Sequence, residues 1–110
     1  MPNPPLSIVI TRDLHLTTGG APNLTKGRYV GRIEGVAGEA ELTFVRLSPT
    51  VINADHTFAP DTMRGTGIAK SLVERLVADA RAEGTRIVSS CSYVQAQFAR
   101  HPDWSDVLAP

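Results

Sequence analysis

The chain has 110 residues, 42% hydrophobic and 20% charged, and its eleven basic residues are balanced by eleven acidic ones. This length suits one domain, and this composition excludes an intrinsically disordered chain. The balanced charge excludes the strongly basic surface of a protein whose main partner is nucleic acid or an anionic membrane.

The first half of the chain is predicted to form an antiparallel meander. Residues 1–26 give the weakest pattern, with a short strand over 6–11 and a loop of turn-forming residues over 17–27. Two later runs alternate apolar and polar residues, which is the period of strands with one buried face. The sequence GVAG lies between these runs and suits a hairpin loop. The strands after the long loop are predicted at 28–35, 39–47 and 50–58.

A long amphipathic helix follows the last of these strands. Its apolar residues recur three and four positions apart, which places them on one helical face. Gly84 comes just after them and suits the left-handed conformation in which many helices end. The buried face is predicted to consist of Ile68, Leu72, Val73, Leu76, Val77 and Ala80.

A short strand and a second helix complete the pattern. The strand starts at Arg86 and ends near Ser90, and a short helix starts near Ser92 and ends before Pro102. A meander followed by a β-α-β-α unit predicts an α+β fold, in a single domain of residues 1–110.

Two features of the sequence bear on the compartment of the protein. No apolar run approaches the length of a membrane-spanning helix, and the N-terminus lacks the pattern of a signal peptide. The single cysteine, Cys91, rules out a disulfide framework within the chain, which fits a reducing environment. We therefore expect a cytoplasmic protein.

The loop before the long helix has the composition of an anion-binding site. It reads RGTG at residues 64–67, and its two glycines allow a tight turn and a close approach by a ligand. The first N–H groups of a helix have no partner inside it, and the helix dipole adds partial positive charge there. Arg64 adds a guanidinium suited to phosphate oxygens, and Thr66 adds a hydroxyl. The loop lacks the P-loop and dinucleotide patterns, so a plain tight turn remains the alternative.

Three segments in a fixed order carry a resemblance to a known family. RGTGIA, residues 64–69, matches the pattern Arg/Gln-x-x-Gly-x-Gly/Ala. HTFAP precedes it, and CSYVQAQFARHPDW follows the next strand. Together they resemble the GNAT superfamily of acetyl-CoA-dependent N-acetyltransferases, in particular its minimal members with a Cys-x-Tyr-Val motif. The resemblance covers residues 28–108.

The resemblance implies a GNAT-like fold in which two central strands splay apart and acetyl-CoA lies in the gap. The pantetheine arm would then pair with the backbone of Thr57, Phe58 and Ala59. The pyrophosphate would rest on backbone amides of the glycine loop and the first helical turn, and no metal is expected. The residues implied for the pyrophosphate are Arg64, Gly65, Thr66, Gly67, Ile68 and Ala69.

The resemblance places the acetyl thioester between His56 and Cys91, and each residue has a second interpretation. Cys91 either accepts the acetyl group and passes it on, or is a small buried apolar residue. His56 is either the base that takes the proton of the attacking amine or a structural histidine. Strand alternation predicts that Asp55 points to the opposite face from His56.

The resemblance implies an N-acetyltransferase that binds acetyl-CoA and acetylates a primary amine: a protein lysine, a protein N-terminus or a small amine. Larger members of the family have a helix pair between the first strands, which forms one wall of the acceptor site. No such pair is predicted here, so the acceptor side is expected to be open. The alternative is a non-catalytic coenzyme A (CoA) or acyl-CoA sensor, or an interaction module, on the same fold. The sequence leaves the oligomeric state open.

Overall fold

The described residues form one five-stranded sheet with two helices. The computed structural model describes residues 7–16 and 25–109, so the predicted tail and most of the predicted loop over 17–27 lie outside them. The strands are β1 (Ile8–Leu16), β2 (Thr25–Ile33), β3 (Ala40–Ser48), β4 (Val51–Phe58) and β5 (Arg86–Ser89). The helices are α1 (Ile68–Glu83) and α2 (Ser92–Arg100), and 3₁₀ turns cover Asp61–Met63 and Pro102–Val107.

The strands lie in the sheet in chain order. Strands β1 to β4 pair antiparallel as a meander, and β5 pairs with β4 in parallel across the α1 connection. The predicted α+β fold is therefore confirmed. No helix in the described ranges is long and apolar enough to cross a bilayer.

Strand β1 is longer than the strand predicted over 6–11. Ile8 and Ile10 pack against the core, and the next residue on that face is Arg12. The Arg12 guanidinium reaches across to α1, where Nη1 lies 3.4 Å from Asp79 Oδ2 and Nη2 lies 3.0 Å from Glu83 Oε2. Because a charged residue occupies an inward position, the apolar run ends before Arg12 while the strand continues.

Helix α1 packs its predicted apolar face onto the sheet. All six residues predicted for that face are at most 2% exposed. Gly84 ends the helix with a φ of 72°, and its N–H donates to the Ala80 carbonyl, which confirms the predicted left-handed cap. The buried stripe fixes the position of α1 over the sheet, and with it the position of the loop that precedes the helix.

The core lies between α1 and one face of the sheet. Helix α2 and the C-terminal 3₁₀ turn complete this core with Val94, Phe98, Trp104 and Val107. In the described ranges, every buried apolar residue of the helices and 3₁₀ turns belongs to this one cluster. The sheet contributes Tyr29, Ile33, Ala40, Leu42, Phe44, Ile52, Ala54 and Ile87 to it.

A β-bulge in β4 changes which side chains point inward. Phe44 pairs with Ala54 and Thr43 pairs with His56, so Asp55 has no partner of its own in β3. The extra residue advances the alternation by one position. Asp55 and His56 thus share the face of Thr43, whose Oγ1 donates to Asp55 Oδ1 at 2.6 Å. The expectation that Asp55 and His56 point to opposite faces is wrong for this reason.

Strands β4 and β5 separate halfway along β4. Their parallel pairing runs from Val51 with Arg86 to Ala54 with Ser89 and stops there. Strand β4 continues to Phe58, whereas the chain after β5 turns into α2. The predicted splaying of two adjacent strands is therefore confirmed, and the gap between them opens beyond Ala54. The pair lies at the β5 end of the sheet and not at its centre.

Candidate functional site

Two serines close the narrow end of the gap between β4 and β5. Ser89 Oγ donates a hydrogen bond to the Ala54 carbonyl at 2.9 Å. The Ser90 amide donates to the same carbonyl at 3.2 Å and to Asn53 Oδ1 at 3.1 Å. The bond from the Ser90 amide to Ala54 is the last of the parallel ladder, and the Ser89 hydroxyl bonds to the same carbonyl, so the two strands part just beyond Ala54.

Cys91 lies beside this point, as the residue that precedes α2. Its thiol donates a hydrogen bond to the Thr57 hydroxyl of β4, with a Sγ–Oγ1 distance of 3.5 Å. Its carbonyl accepts the Gln95 amide at 3.0 Å, which is the first bond of the helix. The sulfur therefore sits between the end of the paired region and the N-terminus of α2.

The surroundings of Cys91 favour its thiolate. Partial burial alone raises the pKa of the thiol, but the Thr57 hydroxyl and the backbone N–H groups of Val94 and Tyr93 lower it by more. The pKa of Cys91 therefore lies below its ordinary value. Since the thiolate is the nucleophilic form of cysteine, this position suits attack on a carbonyl carbon.

The side chain that contacts Cys91 across the gap is Thr57, not His56. Thr57 pairs with the buried Leu42 and lies on the inward face, whereas His56 is exposed on the face of Thr43. The structure does not bring His56 and Cys91 onto one face of the sheet. The catalytic roles of both residues stay predictions, and the Thr57 hydroxyl is a contact that the sequence alone did not indicate.

The rest of the open edge of β4 consists of Phe58, with Ala59 directly after it. Phe58 is 53% exposed, so its ring is available to a ligand in the gap. Phe58 pairs with Glu41 of β3 on its other side and has no partner in β5. The backbone from Thr57 to Ala59 thus borders the gap, where the sequence placed the pantetheine arm.

The loop between β4 and α1 is held by hydrogen bonds of its own. Gly65 and Gly67 both adopt positive φ, at 75° and 80°, and Gly67 is the residue that caps α1. Thr66 Oγ1 donates to the Met63 carbonyl at 2.6 Å and accepts the Ile68 amide at 3.3 Å. The Thr66 hydroxyl therefore stabilises the turn that presents the amides of the loop.

Three of the six amides predicted to bind a pyrophosphate already have an acceptor within the loop, and three do not. The amides of Arg64 and Thr66 donate to the carbonyls of Asp61 and Met63, and that of Ile68 donates to Thr66. Among the described residues no acceptor contacts the remaining three amides, and the same is true of Lys70, which the sequence analysis did not name. The amides left without an acceptor are those of Gly65, Gly67, Ala69 and Lys70.

The chemistry of the loop fits a diphosphate. The free amides lie in the loop before α1 and in its first turn, which contains no acidic residue. The Arg64 side chain is 82% exposed, and within the described residues its ion pair, at 2.9 Å to Asp61 Oδ1, is with a side chain that is 92% exposed. Such an exposed pair contributes little free energy, so the guanidinium can exchange Asp61 for a phosphate at a small cost in stability.

We expect Arg64→Ala to weaken CoA binding about tenfold or more without lowering the melting temperature. A charge-assisted hydrogen bond to a phosphate is worth about 1.5–3 kcal/mol, whereas the exposed pair with Asp61 contributes little to stability. Calorimetric titration with CoA and a thermal melt measure the two effects. The matched control is Arg32→Ala, which removes another exposed arginine with a surface partner, Glu39, at 2.8 Å. Equal weakening in both variants, or unfolding of the Arg64 variant, would assign Arg64 a purely structural or non-specific role.

Comparisons with known proteins agree with this geometry. Residues 28–107 match the family model described as GCN5-related N-acetyl-transferase. Over 75 residues the chain is 28% identical to Protein NATD1 of Bos taurus and 27% identical to Protein NATD1 of Gallus gallus. These matches cover 68% of this chain, 66% of the Bos taurus protein (slightly under two thirds) and 68% of the Gallus gallus protein.

A solved structure has the same fold. The NMR solution structure of a GCN5-like protein from Staphylococcus aureus superposes with a TM-score of 0.62 at 23% sequence identity. The superposition covers 88% of this chain and 87% of the other. At this level of identity the likeness concerns the fold, and the functional argument rests on the gap and the loop.

Proposed function

Because the chain belongs to the family of GCN5-related N-acetyltransferases, we propose that it transfers the acetyl group of acetyl-CoA to a primary amine. The observation that carries this proposal is the gap between β4 and β5, which leads directly into a loop with unbonded amides. One end of the gap offers a thiol of lowered pKa, and the other offers donors for a diphosphate.

The binding roles are proposed for amides that have no acceptor within the described residues and for a guanidinium whose ion pair with Asp61 is exposed. The amides of Gly65, Gly67, Ala69 and Lys70 and the guanidinium of Arg64 hold the diphosphate. The exposed backbone from Thr57 to Ala59 pairs with the amides of the pantetheine arm, because the edge of β4 lacks a strand there. When bound, acetyl-CoA supplies a thioester whose sulfur leaves readily as a thiolate.

The proposed chemistry passes through Cys91. Its thiolate attacks the thioester carbonyl carbon, a carbon–sulfur bond forms to Cys91, and the thiolate of CoA departs. A neutral amine then attacks the acetyl carbon on Cys91, and the cysteine leaves as a thiolate. The excess proton on nitrogen passes to water in the open gap. His56, the predicted base, is exposed on the opposite face of the sheet from Thr57 and Cys91, so it is proposed to take this proton through water. The alternative route, direct attack of the amine on acetyl-CoA, would not need Cys91.

The acceptor is proposed to enter the gap beyond Ala54, where β4 has no partner in β5. Asp55 and His56 are exposed on this part of β4, on the face opposite the core. A wide approach suits a protein lysine or N-terminus as well as a small amine.

Incubation with acetyl-CoA and a panel of amines and peptides tests the proposal. We expect release of free CoA to depend on the amine and on enzyme concentration, with an acetylated product detected by mass spectrometry. The control omits the amine, which separates transfer from hydrolysis. No turnover above the rate without enzyme, across lysine peptides, N-terminal peptides and polyamines, would contradict an acetyltransferase.

A second function, binding of CoA without catalysis, is favoured by the lack of an acceptor wall among the described residues. It predicts saturable binding of CoA together with no transfer to any amine in the same panel. The two measurements made on one preparation therefore separate a transferase from a sensor or interaction module.

A further inference from the structure

We propose that Ser89 is a positioning residue for Cys91, and that its hydroxyl holds the cysteine backbone so that the sulfur faces the gap at the start of α2. The inference rests on the function proposed above, because it concerns the cysteine that receives the acetyl group there. It adds a residue that none of the sequence motifs includes.

The Ser89 hydroxyl has three polar neighbours, and its single proton is shared between two carbonyl oxygens. Its Oγ accepts the Cys91 amide at 3.0 Å and lies 3.1 Å from the Cys91 carbonyl oxygen. It also lies 2.9 Å from the Ala54 carbonyl, the last β4 residue paired with β5. One side chain thus joins the point where the strands part to the backbone of Cys91, by donating to the Ala54 carbonyl while it accepts the Cys91 amide.

The backbone of Ser89 is fixed as well. Its carbonyl accepts the side-chain amide of Gln95, Nε2, at 2.7 Å, which ties the end of β5 to the first turn of α2. The backbone N–H of Gln95 donates to the Cys91 carbonyl at 3.0 Å. Ser89, Cys91 and Gln95 therefore form a closed set of bonds, and the hydroxyl of Ser89 is the part that reaches β4.

The consequence for the sulfur follows from the position of the Cys91 backbone. At this position the sulfur meets the Thr57 hydroxyl at 3.5 Å and the first amides of α2, the groups that favour its thiolate. Since α2 has no other side-chain cap, the orientation of Cys91 depends on the bonds of its own peptide groups. Without the Ser89 hydroxyl, the Cys91 amide loses its acceptor, and the sulfur is free to turn from these donors.

The neighbouring serine provides a matched control. Ser90 is exposed, and its hydroxyl bonds only to the Asn53 side chain among the described residues, at 3.2 Å from Nδ2. Ser90→Ala deletes the same atom one residue away without touching the peptide groups of Cys91. Ser89→Thr retains the hydroxyl and serves as the conservative rescue.

The test is the rate of alkylation by iodoacetamide as a function of pH, on the full chain without acetyl-CoA. Because the chain has one cysteine, all of the signal comes from Cys91. In Ser89→Ala we expect the midpoint of the profile to move to higher pH and the rate at neutral pH to fall about fivefold. Ser90→Ala and Ser89→Thr are expected to follow the wild-type profile, and CoA affinity is expected to change little in all three.

The possible outcomes are distinct. A Ser89→Ala profile that superposes on the wild type, or one matched by Ser90→Ala, overturns the positioning role. A shifted profile in a protein that transfers acetyl to no amine supports the role of Ser89 and contradicts the proposed function instead. Should Ser89→Ala not fold, hydrogen exchange of the wild-type chain decides. If the Ser89 hydroxyl holds the Cys91 backbone, the Cys91 amide is expected to exchange much more slowly than the unbonded amide of Gly65. Equally fast exchange of the two amides would overturn the proposal.

Discussion

Valine at position 67 is expected to abolish measurable CoA binding while leaving the protein folded. Gly67 has a φ of 80°, which β-branched residues rarely adopt, and the strain amounts to about 1–2 kcal/mol. A Cβ built there has no heavy atom within 4 Å, so the free protein suffers no clash. The branched side chain instead enters the open space beside the free amides of the loop. A thermal melt and a calorimetric titration with CoA measure the two effects.

The other end of α1 supplies the matched control. Gly84 also has a positive φ, 72°, and a Cβ there also has no neighbour within 4 Å. Gly84→Val should therefore lose a similar amount of stability while binding CoA as the wild type does. Wild-type affinity in Gly67→Val, or equal loss of affinity in both variants, would contradict a diphosphate site at the N-terminus of α1.

Replacement of Cys91 by alanine is expected to lower the rate of amine acetylation on the order of a hundredfold or more. The thiolate is the proposed first acceptor of the acetyl group, and loss of a covalent nucleophile removes that route altogether. CoA affinity should persist, since the diphosphate donors belong to the loop before α1 and not to α2. The rate is measured with the best amine of the panel. Intact-mass analysis of the wild type mixed with acetyl-CoA alone should show one added acetyl group, absent from Cys91→Ala.

Ser92→Ala is the control for this variant, because it alters the exposed residue next to Cys91 and leaves the thiol in place. It should retain wild-type acetylation. Full activity in Cys91→Ala would instead support direct attack of the amine on acetyl-CoA. Cys91 would then only line the gap, which is the second interpretation of this residue from the sequence.

Much of the fold could be predicted because its signals are local. The 3.6-residue period of α1 identified all six buried residues of its inner face, and Gly84 identified its end. The strands β2 and β3 alternate regularly enough to show which face is buried. Strand β1 was underestimated because its inward position at Arg12 is filled by a charge, whose partners Asp79 and Glu83 are distant in sequence.

The site was predicted less completely, because two of its features depend on backbone geometry. The bulge at Asp55 leaves no mark in the sequence, yet it moves His56 to the exposed face and brings Thr57 to Cys91. In the loop, residue types indicated an anion site but not which amides are free. Thr66 looked like a phosphate ligand, whereas its hydroxyl bonds to Met63 and Ile68.

Calorimetric titration of the wild-type chain with CoA, and separately with desulfo-CoA, tests the central claim most directly. A site built from the loop amides and Arg64 recognises the diphosphate, so both ligands should give saturable heat with one site per chain and similar affinity. Absence of heat with either ligand at millimolar concentration would contradict the site, and with it the proposed acetyl transfer.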